Sequence, residues 1–239
     1  DVFPSKALAG VGVMFYVLLA LRSKRGAQAD LASLLDLVAV GTVADMVALD
    51  GNNRALVGAG LRRLRAGQGC AGLRALIEVA GRHAASLTTT DIGFAIGPRI
   101  NAAGRLEDMG IGIECLLTDD PAQAMALAHV LQAINQERRG VQAGMQDMAE
   151  AQMPGPEDAG ACAVCLYDVE WHPGVVGLVA SKTKERLHRP AIAFAPAEPG
   201  STQLRGSARS IPGFHVRDAL ALVDARHPGL IPRFGGHAM

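Results

Sequence analysis

The chain has few aromatic residues, few cysteines and no excess of charge of either sign. Phe, Trp and Tyr make up 4% of its 239 residues, so the core must consist mainly of Ala, Leu, Val and Ile. Lys plus Arg and Asp plus Glu each number 23, and this balance gives no global sign of a nucleic-acid-binding protein, which is usually basic. No apolar run reaches the roughly 18 residues that a transmembrane helix needs, so none is expected.

The four cysteines form no recognisable zinc site. Cys162 and Cys165 make a C-x-x-C pair, but a zinc site needs a second pair at close spacing, and none is present. The pair lies in an apolar run typical of a strand, which predicts buried free thiols and argues against a redox motif. Reduced thiols favour a cytoplasmic protein. The sequence begins with Asp1 and not Met, so we expect a piece of a longer protein.

Apolar residues at helical spacing predict a mostly helical first part of the chain. The predicted helices cover residues 10–22, 31–40, 53–65, 73–80 and 121–153. The second of them could instead finish as a short buried strand at 37–40, followed by a loop or strand end at 41–45. Residues 88–91 are typical of a helix N-cap before 92–96. The Gly-Pro pair at 97–98 is expected to break regular structure.

A change of pattern at residues 154–156 (PGP) predicts a domain boundary. After it, a strand, a helix, two further strands and a helix predict a small α/β domain, at 162–167, 175–186, 191–194, 204–210 and 216–224. Residues 171–239 contain nine Lys or Arg against four acids, and five of the seven His. This local excess is a modest indication of an anionic partner.

Two segments in the first part have residues suited to metal and phosphate chemistry. In residues 41–47 (GTVADMV), Asp45 follows an apolar segment and is an oxygen ligand suited to Mg²⁺ or Mn²⁺. A helix cap or turn is the other reading of that aspartate. In residues 97–105 (GPRINAAGR), Arg99, Asn101 and Arg105 alternate with small residues that let a phosphate approach. A solvated turn with surface arginines is equally compatible.

Three segments of the second part have similar character. In residues 171–177 (WHPGVVG), Pro and Gly open a helix whose free amides could bind an anion, or His172 and Trp171 could serve capping and packing alone.

The next segment, residues 206–210 (GSARS), places Ser207 two residues before Arg209. On a strand the two would share a face and could hold one phosphate, although an exposed polar face is the simpler alternative. Gly235, Gly236 and His237 then predict a tight turn with exposed amides beside an imidazole.

In combination and order, these segments resemble the RecJ family of single-strand-specific exonucleases, within the DHH phosphoesterase superfamily. Residues 41–47 look like the fourth motif of the catalytic domain, and 96–105 (IGPRINAAGR) resemble a motif specific to this branch. Residues 171–177, 206–213 and 234–237 look like the DHH-associated domain. The first three motifs of the superfamily, including its Asp-His-His, and the oligonucleotide-binding barrel are missing.

The resemblance implies an α/β fold made of the end of a DHH catalytic domain, mostly helical here, then a connecting helix and a truncated DHH-associated domain. Their ranges would be 1–120, 121–153 and 154–239. It implies metal-dependent 5′ to 3′ hydrolysis of single-stranded DNA in repair and recombination, in the cytoplasm. Single-stranded-DNA-binding protein and a helicase would be partners.

The resemblance also assigns roles to individual residues around a site with two Mn²⁺ or Mg²⁺ ions. Asp45 would be the one metal ligand present, and the site would be incomplete. Ser207 and Arg209 would hold the terminal 5′-phosphate. His237 would face the scissile phosphate as a catalytic group. Backbone phosphates would be bound by Arg99, Asn101 and Arg105, with Gly235 and Gly236 also facing the substrate.

Two other functions remain open from the residues. One is a different DHH phosphoesterase, acting on short oligonucleotides or small phosphoesters. The arginine-rich motif at 97–105 disfavours it, because small substrates need fewer backbone contacts. The other is a non-catalytic module that binds single-stranded nucleic acid, mainly through phosphates because aromatic residues are scarce.

Overall fold

The backbone of the computed structural model, which describes residues 3–153 and 161–236, is mostly helical up to Ala151 and mixed α/β from Val164 onward. The chain divides into two compact units, Asp1–Gln136 and Glu137–Met239. This composition confirms the expected fold class of a helical part followed by a small α/β part.

The first unit is built from helices whose apolar faces follow the predicted spacing. Its helices are α1 (Gly10–Arg25), α2 (Leu35–Ala44), α3 (Gly51–Arg65), α4 (Ala71–Val79), α5 (Thr89–Asp91), α6 (Gly97–Leu106), α7 (Gly110–Leu117) and the first part of α8 (Pro121–Ala151). Asp50 caps α3 by accepting a hydrogen bond from the backbone N–H of Asn53 at 2.8 Å. Thr88 and Asp91 form a reciprocal capping box, which confirms the predicted N-cap.

Two local predictions were wrong. The helix predicted up to residue 40 is confirmed over its alternative of a strand at 37–40, but the loop or strand end predicted at 41–45 is wrong, because α2 continues to Ala44. The Gly-Pro pair at 97–98 does not break regular structure, because a π-helix (Ile92–Ile96) continues directly into α6. Pro98 stands in the first turn of α6, directly after this π-helical turn.

The first unit contains a large apolar cluster of mainly aliphatic residues and a smaller one around Phe15. Leu64, Leu73, Leu76, Ile92 and Leu131 are almost completely buried in the large cluster. Helices α2 and α3 pack so closely that a Cβ on Gly60 would lie 2.1 Å from the carbonyl oxygen of Leu35. Glycine at position 60 therefore allows α2 and α3 to pack at this short distance.

The second unit contains a three-stranded sheet in the order β1 (Val164–Tyr167), β2 (Ala191–Pro196) and β3 (Leu204–Arg209). Strand β1 runs parallel to β2 through helix α9 (Val176–Leu187), and β3 is antiparallel to β2. Helix α10 (Val216–Arg226) follows. The strand–helix–strand order confirms the predicted small α/β unit.

The prediction that Cys162 and Cys165 are buried was wrong, since both are exposed free cysteines. Strand β1 is the first strand in the sheet order and alternates between buried and exposed positions. Cys165 falls on an exposed position, and Cys162 precedes the strand. The apolar run suggests a strand buried on both faces, but one face of this edge strand is exposed.

The described helices include none that is both long enough and apolar enough to cross a membrane.

Candidate phosphate-binding site

Ser207 and Arg209 lie on the same face of strand β3, as their spacing of two predicted. The Arg209 side chain turns back along the strand, and its Nη1 donates to the Oγ of Ser207 at 2.9 Å and to the carbonyl oxygen of Ala208 at 2.8 Å. Both residues are half-buried. A hydroxyl and a guanidinium are thus presented together at a protected surface.

Helix α9 holds the other edge of the same guanidinium. The Nε of Arg209 donates to the Oγ of Ser181 at 3.0 Å, and that hydroxyl donates to the carbonyl oxygen of Gly177 at 3.0 Å. Among the residues that the structure describes, the Nη2 of Arg209 has no hydrogen-bond partner, in contrast to its Nε and Nη1. Its N–H groups are therefore available to an external acceptor.

The Nη2 atom of Arg209 faces the first turn of α9. A Cβ built on Gly177 would lie 3.0 Å from Nη2 and 3.1 Å from the Oγ of Ser207. Val176 and Gly177 are the first two residues of α9, where backbone N–H groups have no partner within the helix. We call this set of groups, from Gly177, Ser181, Ser207 and Arg209, the β3–α9 cradle.

The entry to α9 is fixed by residues of the 171–177 segment. The Nδ1 of His172 accepts from the backbone N–H of Gly174 at 3.1 Å, and the carbonyl of His172 accepts from Val175 at 3.0 Å. Trp171 and Val175 are buried. Trp171 therefore has the packing role that the sequence left open, and His172 holds the turn before α9 without capping the helix. The start of α9 lies beside Arg209.

The β3–α9 cradle has the composition of an oxyanion site. It combines free Nη2 donors, a hydroxyl and the positive end of a 12-residue helix, and no carboxylate belongs to it. Guanidinium groups bind phosphate oxygens with charge-assisted hydrogen bonds. A phosphate group is the ligand that this chemistry fits best.

Asp45 lies at the C-terminal end of α2 as its C-cap residue, and its side chain is exposed. The next residue, Met46, has a left-handed backbone with φ of 55°, which turns the chain away from the helix. Carbonyl oxygens at a helix C-terminus carry partial negative charge, so a carboxylate there makes an oxygen-rich end that favours a cation.

Helix α6 begins beside this end of α2. A Cβ on Gly97 would lie 3.2 Å from the Cβ of Ala44, so the two segments singled out in the first unit are neighbours. Within the described residues 3–153 and 161–236 no group of three or more His, Cys, Asp or Glu is placed to hold a metal ion. Asp45 thus fits one oxygen ligand of a hard cation but does not form a site by itself.

The arginine-rich segment does not form one face. Residues 97–105 are helical, so Asn101 and Arg105, four apart, share a face, whereas Arg99 lies on nearly the opposite side from Asn101. The Nη1 of Arg99 donates to the carbonyl oxygen of Ala95 one turn earlier. The alternative of a solvated turn is wrong, because the segment is helical and Ala102 and Ala103 pack it into the core.

Gly235 and Gly236 are exposed residues without helix or strand, and Gly236 has φ of 139°, a conformation open to glycine. His237 lies outside the described residues. The roles implied for these three residues stay predictions.

Sequence reasoning did not identify Ser181, and it did not reveal that Arg209 and Ser207 lie close against Gly177. Gly177 and Ser181 are four residues apart on one helix, so they share a face, and that spacing was a usable signal. What the sequence did not contain was the pairing that brings β3 against this face.

Comparisons with known proteins now identify the class. Residues 158–239 match the DHHA1 domain family. The chain is 55% identical to the single-stranded-DNA-specific exonuclease RecJ of Dickeya dadantii and 51% identical to that of Escherichia coli, in each case over 99% of this chain and 43% of the relative. It also resembles the crystal structure of Thermus thermophilus RecJ in complex with Mg²⁺, with a TM-score of 0.85 and 36% identity over 100% of this chain and 35% of that one.

The C-terminal part of the chain is a DHHA1 domain. Over its whole length, the chain is similar to members of the RecJ family. It spans less than half the length of the curated relatives that it matches.

Proposed function

We propose that this chain is a segment of a metal-dependent exonuclease that degrades single-stranded DNA from the 5′ end, as used in DNA repair and recombination. The observation that supports this most strongly is the β3–α9 cradle, in which the free Nη2 of Arg209 faces the first turn of a helix beside Ser207. A cradle of this kind suits a terminal phosphate. It would select the 5′ end of a strand and set the polarity of degradation.

The other groups of the segment would serve the same reaction. Asp45 would supply one oxygen ligand to Mn²⁺ or Mg²⁺, and the ion would provide activated water and stabilise charge on the phosphate in the transition state. Asn101 and Arg105, on one helical face, would contact backbone phosphates, and Arg99 would act separately from them. Crystal structures of relatives were obtained with Mg²⁺ and with manganese.

The cellular location and the partners belong to the same proposal. A cytoplasmic location is consistent with four free cysteines. Single-stranded DNA is the proposed substrate. Single-stranded-DNA-binding protein and a helicase are the proposed protein partners.

A segment exchange tests the proposed activity. The chain would replace the corresponding segment of the Dickeya dadantii relative, and release of nucleotides from 5′-phosphorylated single-stranded and double-stranded DNA would be measured with Mn²⁺ or Mg²⁺. We expect metal-dependent degradation of the single strand only. Asp45→Asn should reduce it to background, and Arg209→Ala should raise KM for 5′-phosphorylated strands, while Arg226→Ala on exposed α10 serves as the control.

Two results would contradict the proposal. A chimera that hydrolyses a dinucleotide but not a long strand would favour a DHH phosphoesterase of small substrates. A chimera that binds single-stranded DNA with a steep salt dependence but releases no nucleotide would favour a non-catalytic binding module. The isolated chain should release no nucleotides, because one carboxylate cannot hold these ions.

A further inference from the structure

We propose that Ser181 is a positioning residue that orients the Arg209 guanidinium so that Nη2 meets the phosphate. This inference rests on the proposed phosphate-binding role of the β3–α9 cradle and adds a residue to it. Ser181 need not touch the ligand; it acts through Arg209.

The direction of the Ser181 hydroxyl is fixed by its own helix. Its proton is donated to the carbonyl oxygen of Gly177, one turn earlier, at 3.0 Å. With the proton used in this way, the lone pairs of Oγ are available, and one accepts the Nε–H of Arg209 at 3.0 Å. The serine is therefore a fixed acceptor and not a rotating hydroxyl.

Three bonds from two elements define the plane of the guanidinium. Nε is bound to Ser181 on α9, and Nη1 is bound to Ser207 and to the Ala208 carbonyl on β3. Because a guanidinium is planar, fixing these two nitrogens determines where Nη2 points. Without Ser181 the group would be held through Nη1 alone and could rotate away from the first turn of α9.

Holding Arg209 in advance reduces the loss of rotamer freedom on binding. Ordering a long side chain at an interface costs about 0.5–1.5 kcal/mol. At about 1.4 kcal/mol per factor of ten, removing the restraint should weaken phosphate binding by about twofold to tenfold. Loss of Arg209 itself should be more severe, because the charged donor disappears.

The test compares a 3′-fluorescein-labelled pentathymidylate carrying a 5′-phosphate with the same oligonucleotide carrying a 5′-hydroxyl. Fluorescence anisotropy would give the ratio of their Kd values for the complete chain in buffer with EDTA. Ser181→Ala should lower the 5′-phosphate preference by about twofold to tenfold and leave the 5′-hydroxyl Kd unchanged. Ser181→Thr, which retains the hydroxyl, should restore the preference. Ser201→Ala, in the β2–β3 connection, should have no effect.

Two outcomes would distinguish an error in the role of Ser181 from an error in the phosphate site. If Arg209→Ala loses the preference and Ser181→Ala keeps it in full, the positioning role is wrong and the phosphate site stands. If the unsubstituted chain does not prefer the phosphorylated oligonucleotide, the phosphate site itself is wrong and the inference fails with it.

Nuclear magnetic resonance of the unsubstituted chain gives a readout that needs neither ligand nor variant. The Arg209 Nε–H should exchange with water more slowly than the side chains of exposed arginines. Exchange as fast as theirs would overturn the inference.

Discussion

Gly177→Ala should separate phosphate binding from stability in the β3–α9 cradle. The added methyl group would lie 3.0 Å from the Nη2 of Arg209 and 3.1 Å from the Oγ of Ser207, a few tenths of an ångström closer than ordinary contacts. The guanidinium must therefore move away from the first turn of α9.

The energetic effects of this change have opposite signs. Alanine in place of a helical glycine stabilises a helix by up to about 1 kcal/mol, and the crowding of one flexible side chain offsets part of that gain. Binding should lose one charge-assisted hydrogen bond, worth about 1.5–3 kcal/mol, which corresponds to an affinity lower by about tenfold to a hundredfold. We expect a chain that is no less stable but binds phosphate poorly.

Urea unfolding and the 5′-phosphate preference of the labelled pentathymidylate would be measured on the same preparations. Gly144→Ala in α8 is the matched control, because nothing lies within 4 Å of its added Cβ. It should increase stability and leave binding unchanged. An unaltered 5′-phosphate preference in Gly177→Ala would refute the placement of the ligand at the first turn of α9.

Two further predictions concern the first unit. Gly60→Ala should lower the free energy of unfolding in urea by about 1–3 kcal/mol, because its Cβ would collide with the Leu35 carbonyl. Gly58→Ala is the control and should cause no such loss. If Gly60→Ala were as stable as the unsubstituted chain, α2 and α3 would be packed differently. The Asn53 N–H, above all, holds the pKa of the Asp50 carboxyl below its usual 3.8. The stability from this bond is present above pH 3.8 and is lost as the pH falls through the lowered pKa. Asp50→Asn should therefore make the loss of stability in acid less steep. If the variant and the unsubstituted chain had the same pH profile of stability, this assignment would be contradicted.

Local sequence rules succeeded where one element decides the geometry. The spacing of Ser207 and Arg209 placed both on one strand face, and the N-cap at Thr88 was evident from its hydroxyl and the acid three residues later. These features depend on the period of a strand or a helix turn. The part of the cradle that β3 supplies could therefore be predicted from the sequence.

The failures came from tertiary packing. Residues 41–44 were expected as a loop or strand end, but packing of α2 against α3, which Gly60 permits, favours a longer helix. The role of Ser181 depends on β3 lying against α9, which no local pattern reveals. The exposed Cys165 depended on the place of β1 in the sheet order.

An amide-resolved titration tests most directly whether the β3–α9 cradle binds the terminal phosphate of a DNA strand. The ¹⁵N-labelled chain would be titrated with 5′-phosphorylated thymidine dinucleotide and, separately, with the dinucleotide lacking that phosphate. We predict that the phosphorylated ligand alone shifts the amides of Val176, Gly177 and Ser207 together with the Arg209 side-chain resonances. Equal shifts with both ligands, or shifts confined to other surfaces, would show that the cradle does not bind the terminal phosphate.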